Sequence, residues 1–116
     1  MYYANYLRFL ERARTETIFD LGLSNSILKK YFGSLIIVKS CNIEYKKSAY
    51  LEDNLSISSY ISSASKTSII MNQSIFRSNE KIVVADVHLV FVNENVKPVK
   101  ISKSIMEKFK PYFKLN

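Results

Sequence analysis

Glu11 and Arg14 stand three residues apart in NYLRFLERARTETIFDL, a segment whose apolar residues repeat with helical spacing. On adjacent turns of a helix a carboxylate and a guanidinium at this spacing can pair. An ion pair at the edge of a buried face is the expected outcome. Asp86 and His88 share one face of a strand in IVVADVHLVFV, which is half of a nucleophile–base–orienter set. No serine sits in a strand-to-helix elbow to supply the other half, so a hydrogen-bonded or interface pair is expected instead. Cys41 and His88 are the single cysteine and the single histidine. They cannot make a four-ligand zinc site, and no disulfide can close within the chain. A cross-strand Cys41–His88 pair is conceivable, but a lone cysteine on an apolar strand face is expected to pack as a small hydrophobe. With two glycines, Gly22 and Gly33, the chain has no Gly-rich phosphate loop.

These side chains need elements to hold them. At 100° per residue, Phe9, Ala13, Tyr6, Thr17, Leu10, Leu7 and Ile18 fall on one arc, with Arg8, Arg12, Thr15 and Phe19 opposite. The spacing predicts a helix from Asn5 to Leu21, with Asn5 as N-cap and Gly22 as the stop. Ser24 to Phe32 reads as a short helix between Ser24 and Gly33. Strands follow. Leu35, Ile37, Cys41, Ile43 and Tyr45 predict a long half-buried strand; Leu55, Ile57 and Ile61 predict a second, with a serine-rich wet face. Lys66 to Arg77 predicts a third, and Ser78-Asn79-Glu80 a turn. Asp53 lies in a loop and reads as a turn-former. Ile82 to Val92 is apolar at both parities, as in a central strand covered on both faces. Ser102 to Phe113 reads as a short basic helix broken at Pro111. The chain has 116 residues and a mass of 13.4 kDa. That length and this element order predict one α+β domain over 1–116, a curved antiparallel sheet wrapped around one long helix.

The N-terminal residues resemble a known family. Tyr2, Tyr3, Asn5, Tyr6 and Glu11-Arg12-Ala13-Arg14 resemble the helix motif of the 4-hydroxybenzoyl-CoA thioesterase-like family, in its Tol–Pal-associated acyl-CoA thioesterase branch. Tyr45, Ala49, Asp53 and Pro98 resemble its strand-and-turn positions, with Ser48 where the family usually has proline. The likeness spans essentially the whole chain and implies a hotdog fold with its first strand missing. The family's catalytic Asp precedes the Tyr-x-x-Asn-Tyr segment, and so falls before Met1 in this N-terminally shortened pattern. The resemblance implies hydrolysis of an acyl-CoA to free acid and CoA. It makes the Tyr3 backbone amide the oxyanion donor and sets Tyr2, Asn5 and Tyr6 beside the substrate, while the side chains of Tyr2, Tyr3 and Tyr6, taken by themselves, are expected to be packing aromatics. It implies homodimers or homotetramers, and no metal or redox cofactor, CoA being part of the substrate. Glu11 is the carboxylate on the same helix able to stand in for the absent Asp. Lys66, Arg77 and the tail lysines are candidates for the CoA phosphates.

Seventeen Lys and Arg against ten Asp and Glu give a net charge of +7, which favours anionic partners. A second reading is therefore a catalytically impaired hotdog module that binds acyl-CoA or an acidic acyl carrier protein. Nucleic acid is not an expected partner, because no stacking-strand motif or zinc knuckle is present. No run approaches the length of a membrane span, no secretory pattern opens the chain, and one cysteine suits a reducing cytosol. A cytoplasmic location is expected.

Overall fold

The computed structural model describes residues 3–46 and 54–113, with side chains from Tyr6 onward. The elements are α1 (Tyr3–Asp20), α2 (Asn25–Phe32), β1 (Leu35–Tyr45), β2 (Leu55–Ala64), β3 (Ser68–Arg77), β4 (Glu80–Val92) and α3 (Lys103–Phe109), the last followed by a 3₁₀ turn over Lys110–Tyr112. The four strands form one antiparallel sheet in the order β1-β4-β3-β2. One face of that sheet holds α1. Tyr6 and Leu10 of the helix meet Met71, Ile75, Val83, Ala85, Val87 and Leu89 of the strands in a single core cluster. Burial of this interface, rather than helix propensity, is what holds an 18-residue amphipathic helix in place.

Several boundaries differ from expectation for physical reasons. α1 begins at Tyr3, so Asn5 lies inside its first turn and is not the N-cap; Tyr3 and Ala4 contain nothing that stops a helix from extending. Gly22 does end it, at φ 75°. Ser24 caps α2 through its hydroxyl, which accepts from the Ile27 amide, and Gly33 closes that helix at φ 64°. The expected single face of β1 is split in two. The register shifts between Val38 and Ser40, leaving Lys39 as an extra residue. Cys41, Ile43 and Tyr45 pair with Val87, Ala85 and Val83 on the helix-bearing face, whereas Leu35 and Ile37 pair with Val92 and Val90 on the opposite one. One inserted residue reverses the parity of a strand.

β4 is central but is not covered on both faces along its length. Val83, Ala85, Val87, Leu89 and Phe91 are buried toward α1. On the outer face Val90 and Val92 are buried, His88 is half-buried and Asp86 is exposed. Ser65 shapes the β2–β3 turn, its hydroxyl accepting from the Ser68 and Thr67 amides, so β3 starts two residues later than expected. The β3–β4 hairpin turns on Ser78-Asn79 alone, and Glu80 already belongs to β4. Ser102 caps α3, as its spacing from Ile105 suggests.

Candidate active site

Contacts along α1 fix its direction. Tyr6 stacks on Tyr45, ring centroids 5.8 Å apart, near the β3–β4 hairpin. Farther along, Ile18 and Phe19 lie beside Ile36, Val38 and Leu89 at the other end of the sheet. The helix therefore starts at the hairpin end. Its first-turn amides, that of Tyr3 included, have no acceptor within the helix, and the dipole adds partial positive charge there. Tyr2 lies outside the described residues, as do Asp53 and the side chain of Asn5. Tyr6, set beside the substrate by the resemblance but expected from its own chemistry to pack, is 1% exposed. It is a core aromatic, because the arc that packs α1 on the sheet passes through it.

The flank of α1 that faces β1 carries Leu7, Glu11, Arg14 and Ile18, one above the other at helical spacing. A groove of about 340 Å³ opens along it, with Glu11, Arg14, Ile18, Ile36, Val38 and Leu89 in its walls. The expected Glu11–Arg14 ion pair is not formed. No such pair exists among the described residues, and Arg14 Nη1 donates instead to Gln73 Oε1 at 3.0 Å. Gln73 is fully buried in β3, on the parity of Ile69, Met71 and Ile75. Its Nε2 donates to the Leu10 carbonyl at 3.0 Å and to Ser59 Oγ at 3.3 Å. An exposed ion pair contributes about 0–1 kcal/mol. A hydrogen bond from a charged donor to a buried acceptor contributes about 1.5–3 kcal/mol, which decides where the guanidinium goes. Burial holds the Arg14 pKa below its ordinary value, while the neighbouring Cys41 and Glu11 side chains act in the opposite direction. An arginine so perturbed is still charged at neutral pH. Glu11 is left as an exposed carboxylate at the mouth of an apolar groove.

A long helix laid across a curved four-stranded antiparallel sheet is an arrangement shared with known proteins. Residues 1–109 match the Thioesterase-like superfamily. The chain belongs to that superfamily, and its fold is the hotdog. It is 30% identical over 110 residues to the acyl-CoA thioesterase YbgC of Haemophilus influenzae, covering 94% of this chain and 81% of that one. It is 35% identical over 100 residues to the long-chain acyl-CoA thioesterase FadM of Escherichia coli, covering 84% and 72%. Among solved structures it superposes on a probable thioesterase from Bartonella henselae with a TM-score of 0.78, at 28% identity and 88% and 85% coverage. The probable thioesterase YbaW of Escherichia coli gives a TM-score of 0.79, at 27% identity and 98% and 86% coverage.

On this thioesterase fold the remaining candidates scatter. Arg77 is at the hairpin end, near the α1 tip, but its guanidinium is paired with Glu80. Lys66 lies at the opposite end of β3, about 30 Å away along the strand. There it joins Lys100 and Lys103 around an open pocket that also takes in Ser65 and Ser102. Asp86 accepts from Asn72 Nδ2 at 3.0 Å on the outer face, so its hydrogen-bond partner is Asn72 of β3 and the expected Asp86–His88 hydrogen bond is not formed. His88 pairs in register with Ser40 and Cys41 with Val87. Their side chains therefore point to opposite faces, and a Cys41–His88 pair is excluded. Cys41 is exposed, not packed in the core as expected; it stands on an outer strand, where the helix-bearing face runs out. Gln73 was the residue that sequence reasoning missed. The signal was there: one amide breaks the apolar alternation of Ile69, Met71 and Ile75.

Proposed function

We propose that this chain hydrolyses acyl-CoA thioesters, in the branch of Tol–Pal-associated acyl-CoA thioesterases that its Asn5-Tyr6 and Glu11-Arg12-Ala13-Arg14 segment resembles. The observation that carries the reading is a thioesterase fold in which one helix offers both first-turn amides with no acceptor inside the helix and a carboxylate, Glu11, with no ion-pair partner among the described residues. Water attacks the acyl carbon and gives a proton to Glu11. The carbonyl oxygen takes up negative charge against the Tyr3 N–H. The C–S bond then breaks, and the proton held by Glu11 passes to the departing CoA sulfur. The products are the free acid and CoA thiol, and the sequence of steps needs no metal or redox group.

Tyr3 and Glu11 are about 12 Å apart along one helix axis. Both must come within about 3 Å of the reacting group or its attacking water. With the two groups that far apart, the reading places the thioester between two copies, the amides of one facing the carboxylate of the other. The β1-side flank, with Val38 half exposed, is the surface that would meet. Lys66, Lys100 and Lys103 supply a basic rim for the CoA phosphates or an acidic carrier protein at the far end of the sheet. No helix among the described residues is long and apolar enough to cross a membrane. An exposed free thiol at Cys41 suits a reducing cytosol.

The test is thiol release from a series of acyl-CoAs, followed with a chromogenic disulfide. Turnover is expected with wild-type protein, and Glu11→Gln is expected to lower kcat/KM by about 100-fold or more. Saturable acyl-CoA binding without thiol release would replace hydrolysis by the binding-module reading.

A further inference from the structure

Gln73 occupies a position where every neighbour on its own strand face is aliphatic, and all of its hydrogen-bonding capacity is directed at α1 and β2. The orientation of the amide is determined by its partners. The Leu10 carbonyl can only accept, so it must face the NH₂ group; Arg14 can only donate, so it must face the oxygen. With Nε2 held by both Leu10 and Ser59, the oxygen cannot turn away from Arg14. The guanidinium is thereby drawn under the helix. Three residues back, on the same flank, Glu11 sits close enough to act on the Arg14 charge and yet has no ion pair with it.

We propose that Gln73 is a positioning residue: it keeps Arg14 off Glu11, and so leaves the Glu11 carboxylate open to the α1–β1 groove. The inference rests on the reading of Glu11 as the proton acceptor. A carboxylate clamped by a guanidinium has its lone pairs occupied and is a weak base. At this spacing on a helix, pairing is weakly favourable. Gln73 prevents it by offering Arg14 a better acceptor in the sheet. The charged and polar groups near Glu11 are then Arg8, Arg12 and Thr15 of its own helix and Arg14 turned inward, with Cys41 of β1 facing Arg14.

The test is a suppressor cycle read by thiol release, with thermal unfolding of every variant as a check on folding. Gln73→Met keeps the side-chain length and removes the acceptor, which frees Arg14 to close on Glu11. It is expected to lower kcat roughly tenfold with little change in KM. Adding Arg14→Met removes the competitor, and the double variant Q73M/R14M is expected to recover most of the lost kcat. A structural role alone predicts the reverse, since the double variant loses more packing than either single one. Failure of Q73M to lose activity, or of Q73M/R14M to regain it, overturns the inference if E11Q is inactive. Full activity in E11Q overturns the reading of Glu11 itself, and the positioning role with it.

Discussion

Leu10 and Leu7 show what a helical arc says about single residues and where it stops. Both fall on the apolar arc of the opening helix, yet Leu10 is 1% exposed and Leu7 is 46% exposed. Leu10→Ala is expected to cost about 2–5 kcal/mol in urea unfolding. Leu7→Ala, on the open flank, is expected to change the stability of the isolated chain by less than about 0.5 kcal/mol. Periodicity finds the buried direction but not the width of the sheet that covers it, and Leu7 falls at the open margin of the arc. The same limit explains the charged pair. Spacing alone brought Glu11 and Arg14 together, because the competing acceptor is 59 residues away in sequence. A local rule decides such a pair only when no distant partner binds better.

At the level of elements, most of the fold was legible. The Ser24 cap of α2, the second strand's alternation and a short basic helix after Ser102 all follow from local chemistry, although that α-helix stops at Phe109 and Pro111 falls inside the 3₁₀ turn that follows. What was not legible was the extra residue in β1, since a lysine in an alternating run does not announce that it will be skipped. The turn after β4 is another case. Asn93 ties it down, its side-chain oxygen accepting from the Asn95 and Lys97 amides. Val96 is left at φ 59°, with 65% of its surface exposed. A β-branched residue is strained there. Val96→Asn is expected to stabilise the protein by up to about 1 kcal/mol, seen as a Tm a few degrees higher in calorimetry. Gly33→Ala, at a left-handed helix end, is expected to shift Tm in the opposite direction by a comparable amount.

For the whole molecule, the proposed chemistry makes assembly and activity inseparable. Val38 is exposed on the helix-bearing face of β1, and Phe19 is exposed close to it. A charge on that flank is expected to separate the copies. Val38→Lys should sediment as a monomer at micromolar concentration and lose thiol release, while its thermal unfolding stays close to wild type. A monomeric variant with full turnover would show that one chain is sufficient. The site was only half legible. The sequence pointed to the helix tip and to Glu11, but it could not reveal that Arg14, the expected partner of Glu11, is held instead by Gln73.

Both outermost strands of the sheet carry an irregularity, at Lys39 in β1 and at Ser62 in β2. A straight, unbroken rim would invite endless addition of further chains. Kinked rims halt such growth after a finite number of partners, so concentrated solutions of this protein should stay clear and fail to bind amyloid dyes. Deleting Lys39 would straighten one rim and is the change most apt to turn a closed particle into a fibre.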